Sequence, residues 1–246
     1  MGRVFYCGGA SRSAARGSPS PVVLSDFGAA VCLRAISPSL GDDRRRLCFC
    51  RAHLSRFAHR GLMKFPLHTQ DSAPEASKPL LAQVESAFGF VPNLTATLAE
   101  SPAALAGYMQ LSTIIEKNSA LSPREQQVVM LAVSESNACD YCVAAHSLIA
   151  GMSGLPEDTV AALRDGRVLP DAKEAALAQF AKAVVNQRGW VSDADQEAFL
   201  AAGFTRQHLL DVLSIIALKT LSNYANHVAH TPLDAAFEAH RWTKSP

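Results

Sequence analysis

From Met63 onward, apolar residues recur at intervals of three and four positions, and the alternation typical of strands is almost absent. Ser101-Pro102 and Ser122-Pro123 each place an N-capping serine before a proline at the first helical position. Glu125 is placed to complete a capping box with Ser122. These signals predict an all-α fold of about eight to ten helices.

The rest of the chain carries further helix boundaries. Pro232 is expected to stop the final, long helix, and 184 residues from Met63 to the end fit one domain, 63–246. The predicted boundaries are helix ends at Gly151 with Gly154 and near Gly203, and helix starts at Pro156, Ala172, Ser192 with Asp195, and Thr205.

Residues 1–62 have a different composition, with ten arginines, no lysine and three acids for a net charge of +7, against −6 for residues 63–246. Three interpretations stay open: an organelle-targeting segment, a basic flexible arm, or translated sequence upstream of a start at Met63. We expect a disordered basic extension in each case. Cys48-x-Cys50 has no second ligand pair at suitable spacing, so no metal site is predicted there.

The overall net charge of +1 gives no reason to expect nucleic-acid binding. No apolar run reaches the roughly 20 residues that span a bilayer, and the best candidate, Leu209 to Leu218, contains Asp211 and is followed by Lys219. The sequence therefore predicts a soluble, cytoplasmic protein that binds neither nucleic acid nor membranes.

The clearest chemical motif lies at residues 135–146, where Cys139 and Cys142 form a Cys-x-x-Cys pair and His146 follows four positions later. Residues four apart share one face of a helix, so His146 can reach the Cys142 thiol. A thiol beside a base, with a second thiol nearby, can be oxidised and then resolved as a disulfide. We therefore predict redox catalysis.

The same motif also occurs in zinc sites, haem attachment sites and inert cores. A structural zinc ion is bound by four ligands, usually as two local pairs. The next candidate ligands, His227 and His230, lie far along the chain. Covalent haem attachment needs histidine directly after the second cysteine, where Val143 stands. Two buried, inert cysteines remain an alternative, but Ser136-Asn137 indicates a helix start, where a thiolate is favoured.

Several segments together resemble the alkylhydroperoxidase D-like group of the carboxymuconolactone decarboxylase superfamily. The resemblance covers roughly residues 63–240 and is most specific where the Leu-Ser-Pro helix precedes the Cys-x-x-Cys-x-x-x-His motif. The matching segments are residues 121–125, 133–146, 88–93, 223–227 and 231–234.

The resemblance implies an antiparallel helical domain in a homo-oligomer, a trimer or hexamer. It also implies a thiol peroxidase that reduces hydroperoxides without cofactor or metal and is recycled by an external dithiol, for example on a lipoyl protein. Cys142 matches the attacking thiol, Cys139 the resolving thiol and His146 the histidine of the proton relay. The helix dipole alone would favour Cys139 as the acidic thiol, whereas the contact with His146 favours Cys142.

Two positions depart from the family pattern. Gln127 stands where the relay usually has a glutamate, and glutamine cannot take up a proton, so Glu135 is the candidate replacement carboxylate. Tyr141 stands where some members have histidine. Two alternative functions stay open: a decarboxylase-type lyase, which would not need the dithiol, and a non-enzymatic redox-responsive or metal-binding oligomer. His227 is expected to serve packing or a subunit contact.

Overall fold

The computed structural model describes residues 64–244, and every regular element among them is a helix. The all-α prediction is thereby confirmed. The expectations for residues 1–62, including Cys48 and Cys50, lie outside the described residues. The elements are α1 Lys78–Phe88, α2 Asn93–Leu98, α3 Pro102–Asn118, α4 Pro123–Ser136, α5 Asp140–Met152, α6 Glu157–Arg164, α7 Ala172–Asn186, α8 Asp193–Ala201, α9 Arg206–Ala229 and a final 3-10 helix Ala235–His240.

Local side-chain caps determine where several helices begin. The Ser101 hydroxyl accepts a hydrogen bond from the Ala104 N–H at the start of α3. At the start of α4, Ser122 and Glu125 form the predicted capping box, in which each side chain accepts from the other residue's backbone N–H. Such caps stabilise a helix start by about 1 kcal/mol, because they satisfy N–H groups that have no partner within the helix.

Helix α4 is the central element of the fold and packs against α5, α7 and α9. Its residues from Gln126 to Glu135 are all buried. Val128, Val129 and Leu131 have no exposed surface. Because a helix that is apolar around its whole circumference is stable only inside a core, neighbouring helices must cover it on every side.

Two apolar clusters form the core. The larger one joins α4, α6, α7, α8 and α9 and includes a stack of Phe180, Phe199 and Phe204, with successive ring centroids 4.4 and 4.6 Å apart. The smaller one joins α1, α2, α3, α5 and the 3-10 helix, and it contains both Cys139 and Cys142. The dithiol is therefore built into the smaller core.

Helix α9 presents two different faces. The face toward the core carries polar residues, Lys219, Ser222, Asn223 and Asn226, among its buried apolar ones. The opposite face exposes an apolar stripe of Leu210, Leu213, Leu221, Tyr224 and Val228. Neither α9 nor any other helix of residues 64–244 combines the length and apolar character needed to cross a membrane.

Candidate active site

A tight turn between α4 and α5 positions the two cysteines. Ala138 takes a left-handed backbone conformation, with φ of 53°, which brings Cys139 to the N-cap of α5. The N–H of Cys139 donates to the carbonyl of Ser134 at 3.0 Å and holds the turn closed. Cys142 follows in the first turn of α5, so both sulfurs lie at the end of the helix where free N–H groups and the dipole favour negative charge.

Both cysteines are free thiols and almost completely buried, with exposed fractions of 1% for Cys139 and 2% for Cys142. The Asn226 amide lies against both sulfurs, with Nδ2 3.3 Å from Cys142 Sγ and 3.9 Å from Cys139 Sγ. Asn223 lies one turn earlier on α9, and its Oδ1 accepts a hydrogen bond of 2.9 Å from Asn137. Helix α9 thus supplies the Asn226 amide as a donor to a dithiol carried by α5.

The surroundings separate the acidities of the two thiols. Burial by itself raises the pKa of Cys142. The hydrogen bond from Cys139, the positive charge of Lys219, and the amides of Asn223 and Asn226 together outweigh burial and place that pKa well below its ordinary value. The hydrogen bond to Cys142 and burial raise the pKa of Cys139. These directions favour Cys142 as the thiolate and Cys139 as the thiol that donates to it.

Lys219 is the charged residue that acts on the Cys142 thiolate. The sequence pattern did not place it in the site. Its side chain is 1% exposed, and the ion pairs found within residues 64–244 do not include it. Its charge lowers the pKa of both Cys142 and His146. A buried ammonium without a carboxylate partner is costly, so its position beside an acidic thiol indicates a functional role.

Gln127 orients His146. Nδ1 of the imidazole lies 2.9 Å from Oε1 of Gln127, and Nε2 of Gln127 in turn lies 3.6 Å from the sulfur of Met130. Since an amide oxygen only accepts, this arrangement assigns the proton to Nδ1 and leaves the Nε2 lone pair of His146 free. Burial, together with the charge of Lys219, puts the pKa of His146 well below its usual value, so the ring is neutral.

Glu135, the candidate relay carboxylate, is not brought to His146. Its carboxylate lies 2.8 Å from Nζ of Lys182 and 3.2 Å from Nζ of Lys244. Burial tends to raise the pKa of Glu135, but the two lysines lower it below the ordinary value, so the group stays charged. These contacts give Glu135 a structural role between α4, α7 and the C-terminal segment, and they leave Gln127 as the direct partner of His146.

Cys142 and His146 open onto one cavity of about 400 Å³ between α1, α2, α3, α5 and α9. Among the described hydrogen bonds none joins the two side chains directly. Lys219 and Tyr108 also reach this space. The remaining wall is mainly apolar and includes Val84, Phe88, Met109, Ile149 and Phe237.

Tyr141, between the two cysteines, has a structural role. Its hydroxyl donates to the Asp234 carboxylate and accepts from the N–H of Leu94 at 3.2 Å. Asp234 also accepts from the N–H of Asn93 at 3.1 Å and so caps α2. This bridge ties the start of α5 to α2 and the C-terminal segment, which closes one side of the cavity.

The missed residues on α9 did leave a signal in the sequence. Lys219, Asn223 and Asn226 recur at helical spacing and continue the buried face that begins with Val212 and Ile215. Polar groups that continue an apolar face are expensive to bury unless they have partners. In the hydropathy pattern alone, Lys219 is only the residue that follows the apolar run from Leu209 to Leu218.

Comparison with known proteins finds a family match for part of the chain and a shared fold for most of it. Residues 102–181, which contain both cysteines and His146, match the carboxymuconolactone decarboxylase family. Two solved structures of peroxidase-related proteins share the fold. One, with an alkylhydroperoxidase AhpD core, is from Ralstonia eutropha JMP134, with 24% identity, a TM-score of 0.66 and coverage of 76% of this chain and 100% of the other. The second is from Silicibacter sp. TM1040, with 20% identity, a TM-score of 0.63 and coverage of 72% and 93%. Residues 102–181 are thus similar to the carboxymuconolactone decarboxylase family, and the described residues share the fold of the AhpD core structure.

The fold is shared with a protein named for a different reaction. The debrominase Bmp8 in complex with 2,3,4-tribromopyrrole matches with 19% identity, a TM-score of 0.61 and coverage of 72% of this chain and 95% of the other. No curated protein matches the sequence. At the level of the family, a peroxidase-related or decarboxylase-type function is supported. Within residues 64–244, no three His, Cys, Asp or Glu side chains cluster as metal ligands would.

Proposed function

We propose that this protein is a thiol-dependent peroxidase that reduces organic hydroperoxides through Cys142 and Cys139. The observation that carries the proposal is the pairing of a buried, acidic Cys142 with the uncompensated charge of Lys219 in an apolar cavity. A thiolate is the reactive form of cysteine, and a cationic group beside it keeps it deprotonated at neutral pH.

The first step is attack of the Cys142 thiolate on the distal oxygen of the hydroperoxide. The O–O bond breaks, Cys142 becomes a sulfenic acid and the electron pair leaves on the alkoxide. The neutral imidazole of His146 relays a proton from the cavity to the alkoxide, and an alcohol is released. Lys219 stabilises negative charge first on sulfur and then on the departing oxygen.

The second step closes the disulfide. Cys139 attacks the Cys142 sulfenic sulfur, and hydroxide leaves with the Cys139 proton as water. The main cause of the raised pKa of Cys139 is its hydrogen bond to the Cys142 thiolate, and oxidation of Cys142 removes that cause. Cys139 therefore becomes more acidic at the stage when it must act as the nucleophile. An external dithiol, such as one on a lipoyl protein, then reduces the disulfide.

The walls of the cavity support an organic substrate. A volume of about 400 Å³ is within the range of small-ligand sites, and side chains such as Phe88, Met109 and Phe237 would contact the apolar part of a hydroperoxide. Hydrogen peroxide has no apolar part and would not cover these side chains. We therefore expect an alkyl or aryl hydroperoxide to oxidise the dithiol faster than hydrogen peroxide does.

Thiol mapping tests the proposal. Reduced protein is treated with one equivalent of cumene hydroperoxide, alkylated and mapped by peptide mass, because four further cysteines lie in residues 1–62. We expect a Cys139–Cys142 bridge in wild type, an accumulated sulfenic acid at Cys142 in Cys139→Ser, and no reaction at the motif in Cys142→Ser. An unmodified motif in wild type would refute the peroxidase, and turnover in Cys142→Ser with loss in Cys139→Ser would exchange the two roles.

The same preparations separate the alternative functions. A lyase of the decarboxylase type would keep its activity on a carboxymuconolactone in the Cys139→Ser/Cys142→Ser double variant, because that reaction needs no dithiol. Stoichiometric metal in freshly reduced protein would favour a metal-binding oligomer. 2,3,4-Tribromopyrrole, the ligand in the Bmp8 structure, serves as the comparison substrate for thiolate attack on a halogenated ring.

The proposal includes a homo-oligomer, with a trimer or hexamer expected. The apolar stripe on α9, with Tyr224 54% and Val228 67% exposed, supports a subunit contact there. Light scattering of wild type against Val228→Lys tests this. A mass that is already monomeric in wild type would refute the oligomer, and Met152→Lys, which alters an exposed apolar residue on α5, is the matched control.

A further inference from the structure

A second, smaller cavity lies on the opposite side of the dithiol. It has a volume of about 280 Å³ and is formed by the start of α5 and the end of α9. Cys139 lines it and Cys142 does not, whereas Cys142 lines the larger cavity and Cys139 does not. Tyr141 contributes to both walls and separates them. The two sulfurs of one motif therefore open onto different spaces.

The smaller cavity is polar, and two of the residues that line it carry buried hydrogen-bonding atoms without partners. Oδ1 of Asn226 and Oγ1 of Thr231 are both buried, and neither has a hydrogen-bond partner within the described residues. Asn226 as a whole is only 5% exposed. Buried polar atoms normally have partners, so an acceptor and a hydroxyl left open beside a reactive sulfur indicate a place for a ligand with complementary groups.

The backbone around this cavity is held in an uncommon conformation. Ala138 and His230, on opposite sides of the cavity, both have positive φ, of 53° and 50°. A non-glycine residue in this region costs on the order of 1 kcal/mol and persists only where the surroundings enforce it. Both residues line the cavity together with Cys139, one at the start of α5 and one at the end of α9.

We infer that the smaller cavity admits the reducing thiol and that this thiol attacks Sγ of Cys139. The inference rests on the proposed peroxidase function and assigns the two half-reactions to two entrances: hydroperoxide through the larger cavity to Cys142, reductant through the smaller one to Cys139. A reductant can then approach while the larger cavity still holds the alcohol product.

The chemistry balances with a dithiol as reductant. Its first thiolate bonds to Cys139 Sγ, the Cys139–Cys142 bond breaks, and the electron pair leaves on Cys142 as thiolate. The second thiol of the reductant attacks the reductant sulfur of this mixed disulfide, which closes the reductant's own disulfide, and Cys139 leaves and takes up the proton. Exchange is faster when the leaving sulfur is the more acidic one, and here Cys142 leaves to rejoin Lys219.

The cavity walls also indicate which kind of thiol arm fits. The orphaned Asn226 Oδ1 needs a donor such as an amide N–H, and Asp140 at the exposed rim disfavours an anionic reductant. An uncharged dithiol on an amide-linked arm, as in dihydrolipoamide, meets both conditions. Glutathione, which carries net negative charge, should reduce the disulfide more slowly than dihydrolipoamide at equal thiolate concentration.

Trapping the mixed disulfide tests which sulfur is attacked. The disulfide is formed with diamide, so that the result does not depend on peroxidase activity. It is then exposed briefly to 2-mercaptoethanol and quenched with N-ethylmaleimide for peptide mapping. We expect mercaptoethanol on Cys139 and maleimide on Cys142. The reverse pattern, or equal labelling of the two, overturns the inference while leaving the peroxidase proposal intact.

Blocking each cavity tests the two entrances. His227 on α9 is exposed at the rim of the smaller cavity, and Met109 on α3 is half-buried in the wall of the larger one. In stopped-flow measurements, His227→Trp should slow reduction by dihydrolipoamide at least about tenfold more than it slows oxidation by cumene hydroperoxide. Met109→Trp should show the opposite bias. Reduction of the His227→Trp disulfide at the wild-type rate overturns the inference.

Discussion

Nδ1 of His146 lies 2.9 Å from Oε1 of Gln127, so an amide and not a carboxylate orients the histidine of this site. The amide fixes the ring and its tautomer, but it has no charge with which to stabilise an imidazolium. Proton transfer from Cys142 to His146 therefore depends on how strongly the thiolate is stabilised elsewhere, above all by Lys219 and Asn226.

Gln127→Glu restores a carboxylate beside the histidine. We expect the pKa of His146 to rise and the oxidation of Cys142 by hydroperoxide to accelerate by about tenfold, within the usual contribution of a positioned base. Stopped-flow oxidation as a function of pH measures it. Gln126→Glu is the control, because Gln126 is buried on the same helix but donates to the carbonyl of Leu121. Equal effects of the two substitutions would contradict the orientation role.

Lys219→Met removes the charge that favours the Cys142 thiolate while keeping a side chain of similar volume. The pKa of Cys142 should rise by about 1–3 units. Below the new pKa the thiolate fraction falls, so oxidation should slow about tenfold or more in mildly acidic buffer and recover as pH increases. Ultraviolet thiolate absorbance across pH checks this. Lys117→Met, at an exposed position on α3, should leave the titration unchanged.

The same Lys219→Met variant should be at least as stable as wild type. Lys219 is 1% exposed, and no carboxylate in the described chain pairs with it, so methionine replaces a desolvated charge by an apolar group. The Cys142 thiolate that loses its counter-charge can take up a proton, so neither partner stays charged, and replacing a buried ion pair by neutral groups is often neutral or stabilising. Urea unfolding of the variant and of wild type measures the two free energies of unfolding. A large loss of stability would show that Lys219 supports the fold and not the reactivity of the thiol.

Glu135→Gln should weaken the fold without altering the thiols. The lysines hold the pKa of Glu135 below its ordinary value, so its contribution is present above the unfolded-state pKa and is lost as pH falls through the folded-state pKa. Because Lys244 is 44% exposed, we expect a cost of only about 1 kcal/mol at pH 7. The difference in the free energy of unfolding between this variant and wild type should disappear at acidic pH. Glu197→Gln, on the exposed face of α8, is the control.

Asn226→Asp exchanges an amide that donates to both sulfurs for a group that only accepts. The added carboxylate repels the thiolate, so the pKa of Cys142 should rise and oxidation at neutral pH should slow by about ten- to a hundredfold. Iodoacetamide alkylation rates against pH measure the shift. Asn118→Asp, at the exposed end of α3, should not change them. An unchanged Cys142 titration in Asn226→Asp would argue against this hydrogen bond.

Features set by short-range chemistry were predictable from the sequence. Ser122 and Glu125 begin α4 because three residues suffice to form their reciprocal hydrogen bonds. Helix α2 was not predicted, because its six residues depend on a cap from Asp234, 141 positions away. The C-terminal 3-10 helix was likewise not predicted.

The choice between Gln127 and Glu135 shows the same limit within the site. The two lie on one helix about 12 Å apart along its axis, and both are buried. Gln127 contacts His146 because α5 places the histidine beside it. Glu135 instead forms ion pairs with Lys182 and Lys244. Asn226 is 84 positions from Cys142, and no local pattern reports such a contact.

Lys219, Asn223 and Asn226 occupy successive turns of a single rigid rod, α9. They can therefore approach or leave the sulfurs only together. A small axial slide or rotation of α9 would withdraw the charge and both amides in one movement. The low pKa of Cys142 thus depends on the position of a single helix, and a contact on the exposed stripe that shifted α9 would change the acidity of the thiol.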